Sequence, residues 1–194
     1  MVVRFVLVVI LLVSPASSAR AQSGGVAGRI TATGLPTSGG LVVSLEAPGL
    51  KVAPPAKPVP MDQRDNRFAP HVVPIVKGTT MTFLNSDVVR HNVFSPEGQY
   101  DLGTWKRRET RDHTFAKPGV YTQLCRLHPE MKAFIIVLET PYFATTDASG
   151  VFTISGVPPG RYTLVVWSEK LKTVRQPITV GSGKPIVLNL TLTA

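Results

Sequence analysis

An all-β chain, one β-sandwich inserted into a second, is what the sequence predicts. Apolar and alternating runs of roughly four to eight residues recur between Gly, Pro, Asp and Ser clusters, the pattern of short strands joined by turns. No apolar stripe with a 3.6-residue period reaches helical length. The first and last stretches each hold too few strands to bury two sheet faces, and isolated hairpins are marginal in water, so the two stretches are expected to join.

The elements follow in order. Met1-Val2-Val3-Arg4 is a positively charged start, Phe5 to Val13 an uninterrupted apolar run, and Ala19-Arg20-Ala21 a small-residue cleavage pattern. Together they predict a signal peptide over 1–21 and a mature start at Gln22. The apolar run is too short for a bilayer, which takes about 20 residues, and no later segment approaches that length. The expected product is exported, periplasmic or secreted, without stable membrane insertion. Val26-Ala27-Gly28-Arg29-Ile30-Thr31 and Gly40-Leu41-Val42-Val43-Ser44-Leu45 read as opening strands. Ala53-Pro54-Pro55-Ala56-Lys57-Pro58-Val59-Pro60 reads as a semi-rigid polyproline II linker, within 51–60. The inserted sandwich is expected over 61–140, with Thr140-Pro141 marking the return. Val151-Phe152-Thr153-Ile154, Arg161 to Trp167, Gln176 to Val180 and Ile186 to Leu192 supply the closing strands, separated by Asp147-Ala148-Ser149-Gly150 and Val157-Pro158-Pro159-Gly160 turns. The second sandwich is therefore expected to be discontinuous, 24–50 plus 141–194.

The most informative stretch is Cys125-Arg126-Leu127-His128-Pro129-Glu130-Met131, which places a thiolate, an imidazole and a thioether around the only cysteine. Copper takes these donors in electron-transfer sites, with two His nitrogens and one Cys sulfur in a plane and a weak axial Met. The second imidazole is expected from His91, which follows an apolar strand and the turn-rich Asn85-Ser86-Asp87. A lone Cys is also compatible with an inert buried hydrophobe. Structural zinc also uses Cys and His, but it usually takes four such ligands, and a Met suits copper better. A single thiol in an oxidising compartment has no intramolecular disulfide partner, which favours burial or ligation.

Four ligand types in this order, Gly78 to Asp87 leading into His91-Asn92-Val93-Phe94-Ser95, and Lys117-Pro118-Gly119-Val120-Tyr121 leading into the Cys resemble the cupredoxins. That family includes plastocyanin, pseudoazurin and amicyanin, and the Cys-x2-His-x2-Met spacing is most similar to amicyanin. The resemblance covers about residues 60 to 139. It implies a Greek-key β-sandwich, one mononuclear type 1 copper held by His91, Cys125, His128 and Met131, and electron transfer to a redox protein partner. It also implies that His128 is the solvent-facing ligand and that Asn92 pins the Cys loop. Glu130 departs from the apolar rim expected there.

The opening strands, and Ala144 to Phe152 continuing to Arg161-Tyr162-Thr163-Leu164, resemble a carboxypeptidase-regulatory or prealbumin-like β-sandwich. Sequences of this combined type resemble bacterial plastocyanin-like proteins, some labelled as methylamine-utilisation proteins.

The net charge of the 194 residues is +9, falling to +7 without Arg4 and Arg20 of the signal peptide. Lys106-Arg107-Arg108 with Arg111 is the densest cluster, a solvated turn or a surface that steers an acidic partner. No helix-turn-helix, zinc-finger or RNP pattern accompanies the charge, which argues against nucleic acid. His71 and His113 stand in strand-like runs without a second donor nearby. The primary expectation is an electron carrier; the alternatives are a copper-holding or delivery protein and an adhesion or scaffold module. An enzyme is not expected, because four protein ligands leave no open position on the metal and no Ser-His-Asp or paired-carboxylate arrangement is legible.

Overall fold

A computed structural model describes residues 23–50 and 52–194, so the leader expected over 1–21 lies outside the described residues. The described chain is all-β. Strands β1 (Gly24–Ala32) and β2 (Val42–Glu46) come first. Nine strands follow: β3 (Val59–Arg64), β4 (Arg67–Ala69), β5 (Val72–Val76), β6 (Thr80–Asn85), β7 (His91–Ser95), β8 (Tyr100–Trp105), β9 (Thr110–Thr114), β10 (Gly119–Leu124) and β11 (Lys132–Leu138). The chain then adds β12 (Phe143–Thr145), β13 (Val151–Val157), β14 (Gly160–Trp167), β15 (Val174–Val180) and β16 (Ile186–Leu192).

Strand order divides these into two sandwiches. One consists of the sheets β13-β1-β16 and β12-β2-β14-β15, so strands from both ends of the chain share both sheets. The other consists of β4-β3-β6-β9 and β5-β11-β10-β7-β8, all from the middle of the chain. In the first, β1 pairs antiparallel with β13 and parallel with β16, which places it between them. Its turn at Asp147–Gly150 closes against β1. Gly150 has φ +83°, Ile30 donates its N–H to the Gly150 carbonyl at 2.8 Å, and a Cβ on Gly150 would stand 1.9 Å from the Ile30 oxygen. Only glycine serves there, for both conformation and space.

The linker is shorter than the sequence suggested. Val59 and Pro60 already pair with Met81 and Thr82 in a parallel ladder, so strand begins two residues before 61. Pro60 is tolerated because β4 pairs only with residues 62 to 64, leaving that side of β3 without a ladder at position 60.

Burial alternates along β6, where Met81, Phe83 and Asn85 face inward, and the inserted core gathers Met81 and Phe83 with Trp105, Phe115 and Ile135. By contrast β11 is buried on both faces. Ala133, Ile135 and Val137 fill the inserted core, while Phe134 and Ile136 point the other way and meet Val42 and Trp167 of the second sandwich. This two-sided cover explains why β11 reads as an unbroken apolar run. Burying side chains like Phe134 and Ile136 stabilises the contact between sandwiches by about 1.5–3 kcal/mol each. Polar groups frame it: the Glu169 carboxylate meets His71 Nε2 at 2.7 Å and Lys132 Nζ at 2.7 Å.

Candidate metal centre

The site forms where three chain segments end together. The antiparallel pairing of Leu124 with Phe94 brings the next residue, Cys125, beside the start of β7. His91 is the first residue of β7, and the loop 125–131 connects β10 to β11. His91, Cys125 and His128 converge there, each with one donor atom within 4.8 Å of the others. His91 Nδ1 stands 3.1 Å from His128 Nδ1, and Cys125 Sγ stands 3.8 Å from His128 Nδ1. Met131 packs in the same buried cluster as Cys125 and donates its N–H to the His128 carbonyl at 3.0 Å, which closes the loop into a turn. The two imidazoles differ in exposure: His91 is fully buried and His128 half-buried.

Each side chain is held from behind. His91 Nε2 lies 2.7 Å from Asp87 Oδ2, so Nδ1 is the nitrogen aimed at His128 and Cys125. The same carboxylate accepts the N–H groups of Asp65 and Asn66 at 2.8 and 3.0 Å. Burial pushes the Asp87 carboxyl up, but these N–H donors and the adjacent imidazole outweigh it and hold it below its ordinary range. Behind Asp87, the inward-facing Asn85 organises the loop: its Oδ1 accepts the Asp87 N–H, and its amide donates to the Val89 and Trp105 carbonyls.

Cys125 is held by Asn92, whose backbone N–H points at Sγ across 3.4 Å. The Asn92 side chain accepts the Arg126 N–H and donates to Asp101 and to the Gly103 carbonyl. Asp101 in turn accepts Arg126 Nε at 2.7 Å, and this guanidinium lies 4.2 Å over the Phe94 ring. The Arg126 hydrogen bond, then the Gly103 N–H, holds the Asp101 carboxyl below its usual value. Asn92 therefore ties the 125–131 loop to β8, well beyond a local turn.

Two imidazole nitrogens and a thiol, with the buried Met131 on the same loop, make a donor set that fits copper. A closed zinc site would require a fourth Cys, His or carboxylate, and among the described residues only three such groups converge. The other candidates lie elsewhere. His71 engages Glu169, and His113 stacks on Tyr100 with ring centroids 3.9 Å apart. Met61 and Met81 are buried in the inserted core.

Sequence reading missed Asp87 and Asp101. Asp87 carried a usable signal, a carboxylate four residues before the candidate ligand His91, where one turn of loop returns it to the ring. Asp101 carried none, since its partners Asn92 and Arg126 lie 9 and 25 residues away.

The family of carboxypeptidase regulatory-like domains matches residues 131–193. This match takes in β11 to β16 and leaves out β1 and β2, which complete both sheets of that sandwich. No curated protein matches the chain. Among solved structures, a purple cupredoxin from Nitrosopumilus maritimus is 23% identical, with 41% of this chain and 99% of that one covered and a TM-score of 0.39. A copper-containing nitrite reductase from Thermus scotoductus is 29% identical over 57% of this chain and 28% of its own, with a TM-score of 0.42. A reduced amicyanin variant is 20% identical over 50% of this chain and 98% of its own, with a TM-score of 0.41.

Proposed function

We propose that the chain is an exported cupredoxin-type copper protein that carries single electrons between redox partners and is not an enzyme. The observation that carries this reading is the convergence of His91 Nδ1, His128 Nδ1 and Cys125 Sγ on one point at the end of the inserted sandwich. His91, Cys125 and His128 would hold the metal, with Met131 as the weaker fourth donor. Bound there, copper supplies a one-electron couple whose potential follows its ligands and their surroundings.

The chain's own residues supply the rest. Asp87 fixes the ring of His91, and Asn92 fixes the thiol, so the donors are assembled by the fold. The buried His91 and Cys125 keep water from one side, while the half-buried His128 gives the electron an exit. A site framed by both sheets and by a hydrogen-bonded loop has little freedom to rearrange, which suits repeated oxidation and reduction.

The test is the visible spectrum of protein loaded with Cu(II). Intense thiolate-to-copper absorption with narrow hyperfine splitting in electron paramagnetic resonance is expected, lost in Cys125→Ser, because a hydroxyl is a poor substitute for a thiolate. A colourless one-to-one copper complex would refute the reading. Met131→Leu should keep the colour and raise the reduction potential.

A further inference from the structure

The sequence shows one basic turn, Lys106 to Arg108, but the fold gathers two more around the first ligand. Asp87, through the N–H groups of Asp65 and Asn66, ties the tip of the β3–β4 hairpin to the loop that precedes His91. That hairpin carries the facing pair Arg64 and Arg67. Asn85 accepts the N–H of Arg108 at 2.7 Å on its carbonyl and bonds the Val89 carbonyl through its amide, which seats the 106–108 turn beside the same loop. The loop ends in Arg90. Trp105 stands opposite His91 in register, so Lys106 follows immediately on the position facing the ligand.

All these cations are exposed, and only Arg64 has a carboxylate partner, Asp62, among the described residues. Of the acidic residues on these turns, Asp62 is paired with Arg64, Asp87 is turned onto His91 and the hairpin tip, and Asp65 and Glu109 are exposed, with Glu109 turned back onto the Lys106 N–H at 3.0 Å; Glu130 is exposed on the 125–131 loop. Exposed aliphatic side chains lie on the same loops: Val88 at 82% and Val89 at 43% exposure precede Arg90 and His91, and Leu127 at 49% precedes the half-buried His128.

We propose that the three turns and these aliphatic residues form one docking face, and that its partner is an acidic redox protein whose carboxylates surround its own electron port. This rests on the electron-carrier reading. Charge complementarity supplies the partner's sign and speeds encounter, while Val88, Val89 and Leu127 supply the dry contact that brings His128 close to the partner. An aliphatic centre with a charged rim is the anatomy of a protein–protein contact; binding to a nucleic-acid backbone needs no such centre.

The test compares two double charge reversals of the full chain with equal change in net charge: Arg67→Glu with Arg107→Glu on the face, and Lys172→Glu with Lys184→Glu on the second sandwich. Oxidation of the reduced copper form by anionic hexacyanoferrate(III) should slow about tenfold in the face variant at low salt and recover toward wild type as salt is raised, since screening acts over ~10 Å at 0.1 M. Oxidation by a cationic cobalt(III) phenanthroline complex should not slow. The second-sandwich variant should change little. Equal slowing in both variants would mean that net charge alone acts and would overturn the face, as would no slowing in either. A second arm needs no metal: amide NMR of the metal-free chain titrated with a hexaglutamate peptide should show shifts at 64–67, 88–90 and 106–108, and shifts spread over both sandwiches would overturn the proposal. Should the copper form lack reversible electron exchange while the peptide still maps to these turns, the carrier reading fails and the acidic-partner face stands.

Discussion

Asp87 Oδ2 sits 2.7 Å from Nε2 of His91, four residues further along the chain. One carboxylate thereby sets which imidazole nitrogen faces Cys125 and His128, and it simultaneously anchors the hairpin tip at Asp65 and Asn66. Both of those residues have φ near +54°, a left-handed turn that Asn and Asp accept more readily than other side chains and that presents two consecutive N–H groups to the same acceptor. The orientation of His91 and the closure of the sheet around β3 are a single hydrogen-bonded unit.

Replacing Asp87 with Ala should lower copper affinity about 10–100-fold, the usual effect of removing a partner that orients a ligating histidine. Competition with a chelator of known affinity reads this directly. Asp87→Asn keeps an acceptor oxygen and should fall between wild type and Asp87→Ala. Equal affinity in all three proteins would show that His91 is held by packing alone.

Asp101 is the test of the Asn92 latch. Asp101→Ala leaves the Asn92 amide with the Gly103 carbonyl as its remaining acceptor and frees Arg126 from its ion pair. Lost hydrogen bonds of this kind cost about 1 kcal/mol each, so a lowered midpoint in urea is expected. If the latch also positions the thiol, the charge-transfer band of the copper form should shift in energy or intensity. A stability loss with an unchanged band would confine Asp101 to a structural role.

The clustering of His91, Cys125 and His128 was legible because Cys125 and His128 lie within four residues of each other, and because His91 follows an apolar strand and a turn. Local spacing reports local geometry. The all-β class was legible for the same reason, from period-two runs such as β6. What escaped were relationships across sequence distance: Asn92 with Asp101 and Arg126, Asp87 with the 65–66 turn, and Glu169 with His71, 98 residues away. The grouping of Arg67 and Arg90 with Lys106 to Arg108 was equally hidden, since it depends on strand order. Val59 and Pro60 were read as linker because they close a proline-rich run that suits polyproline II. The missing ladder partner on one side of β3 lets Pro60 enter the strand.

Acid should loosen the contact between the two sandwiches. Burial pushes the Glu169 carboxyl up, but hydrogen bonds and charge from His71 and Lys132 outweigh it, leaving the folded-state value below the ordinary 4.5. A carboxyl lowered on folding contributes stability that is fully present above its unfolded-state pKa and is lost as pH falls through the folded-state value. His71 and Lys132 face the group from the inserted sandwich, so the loss begins as pH drops below about 4.5 and continues beneath it. The thermal midpoint of Glu169→Gln should therefore lie below that of wild type at pH 6, and the gap should narrow toward pH 3. A constant gap would assign the effect to interactions of the side chain that do not depend on its charge.

Deleting 24–50 should unfold the far end of the chain. The segment holds β1, which lies between β13 and β16, and β2, which lies between β12 and β14. Its removal takes an interior strand from each sheet at once and strips Val26, Ile30, Val43 and Leu45 from one core. The remaining strands would expose both an inner face and two pairs of open edges, and short unsupported sheets are marginal in water. An isolated 141–194 fragment should accordingly show no cooperative thermal transition and poorly dispersed amide NMR signals, while co-expression with a 23–50 peptide should restore dispersion. A fragment that folds cooperatively alone would show that β12 to β16 form an independent domain, and that the N-terminal strands are appended to it.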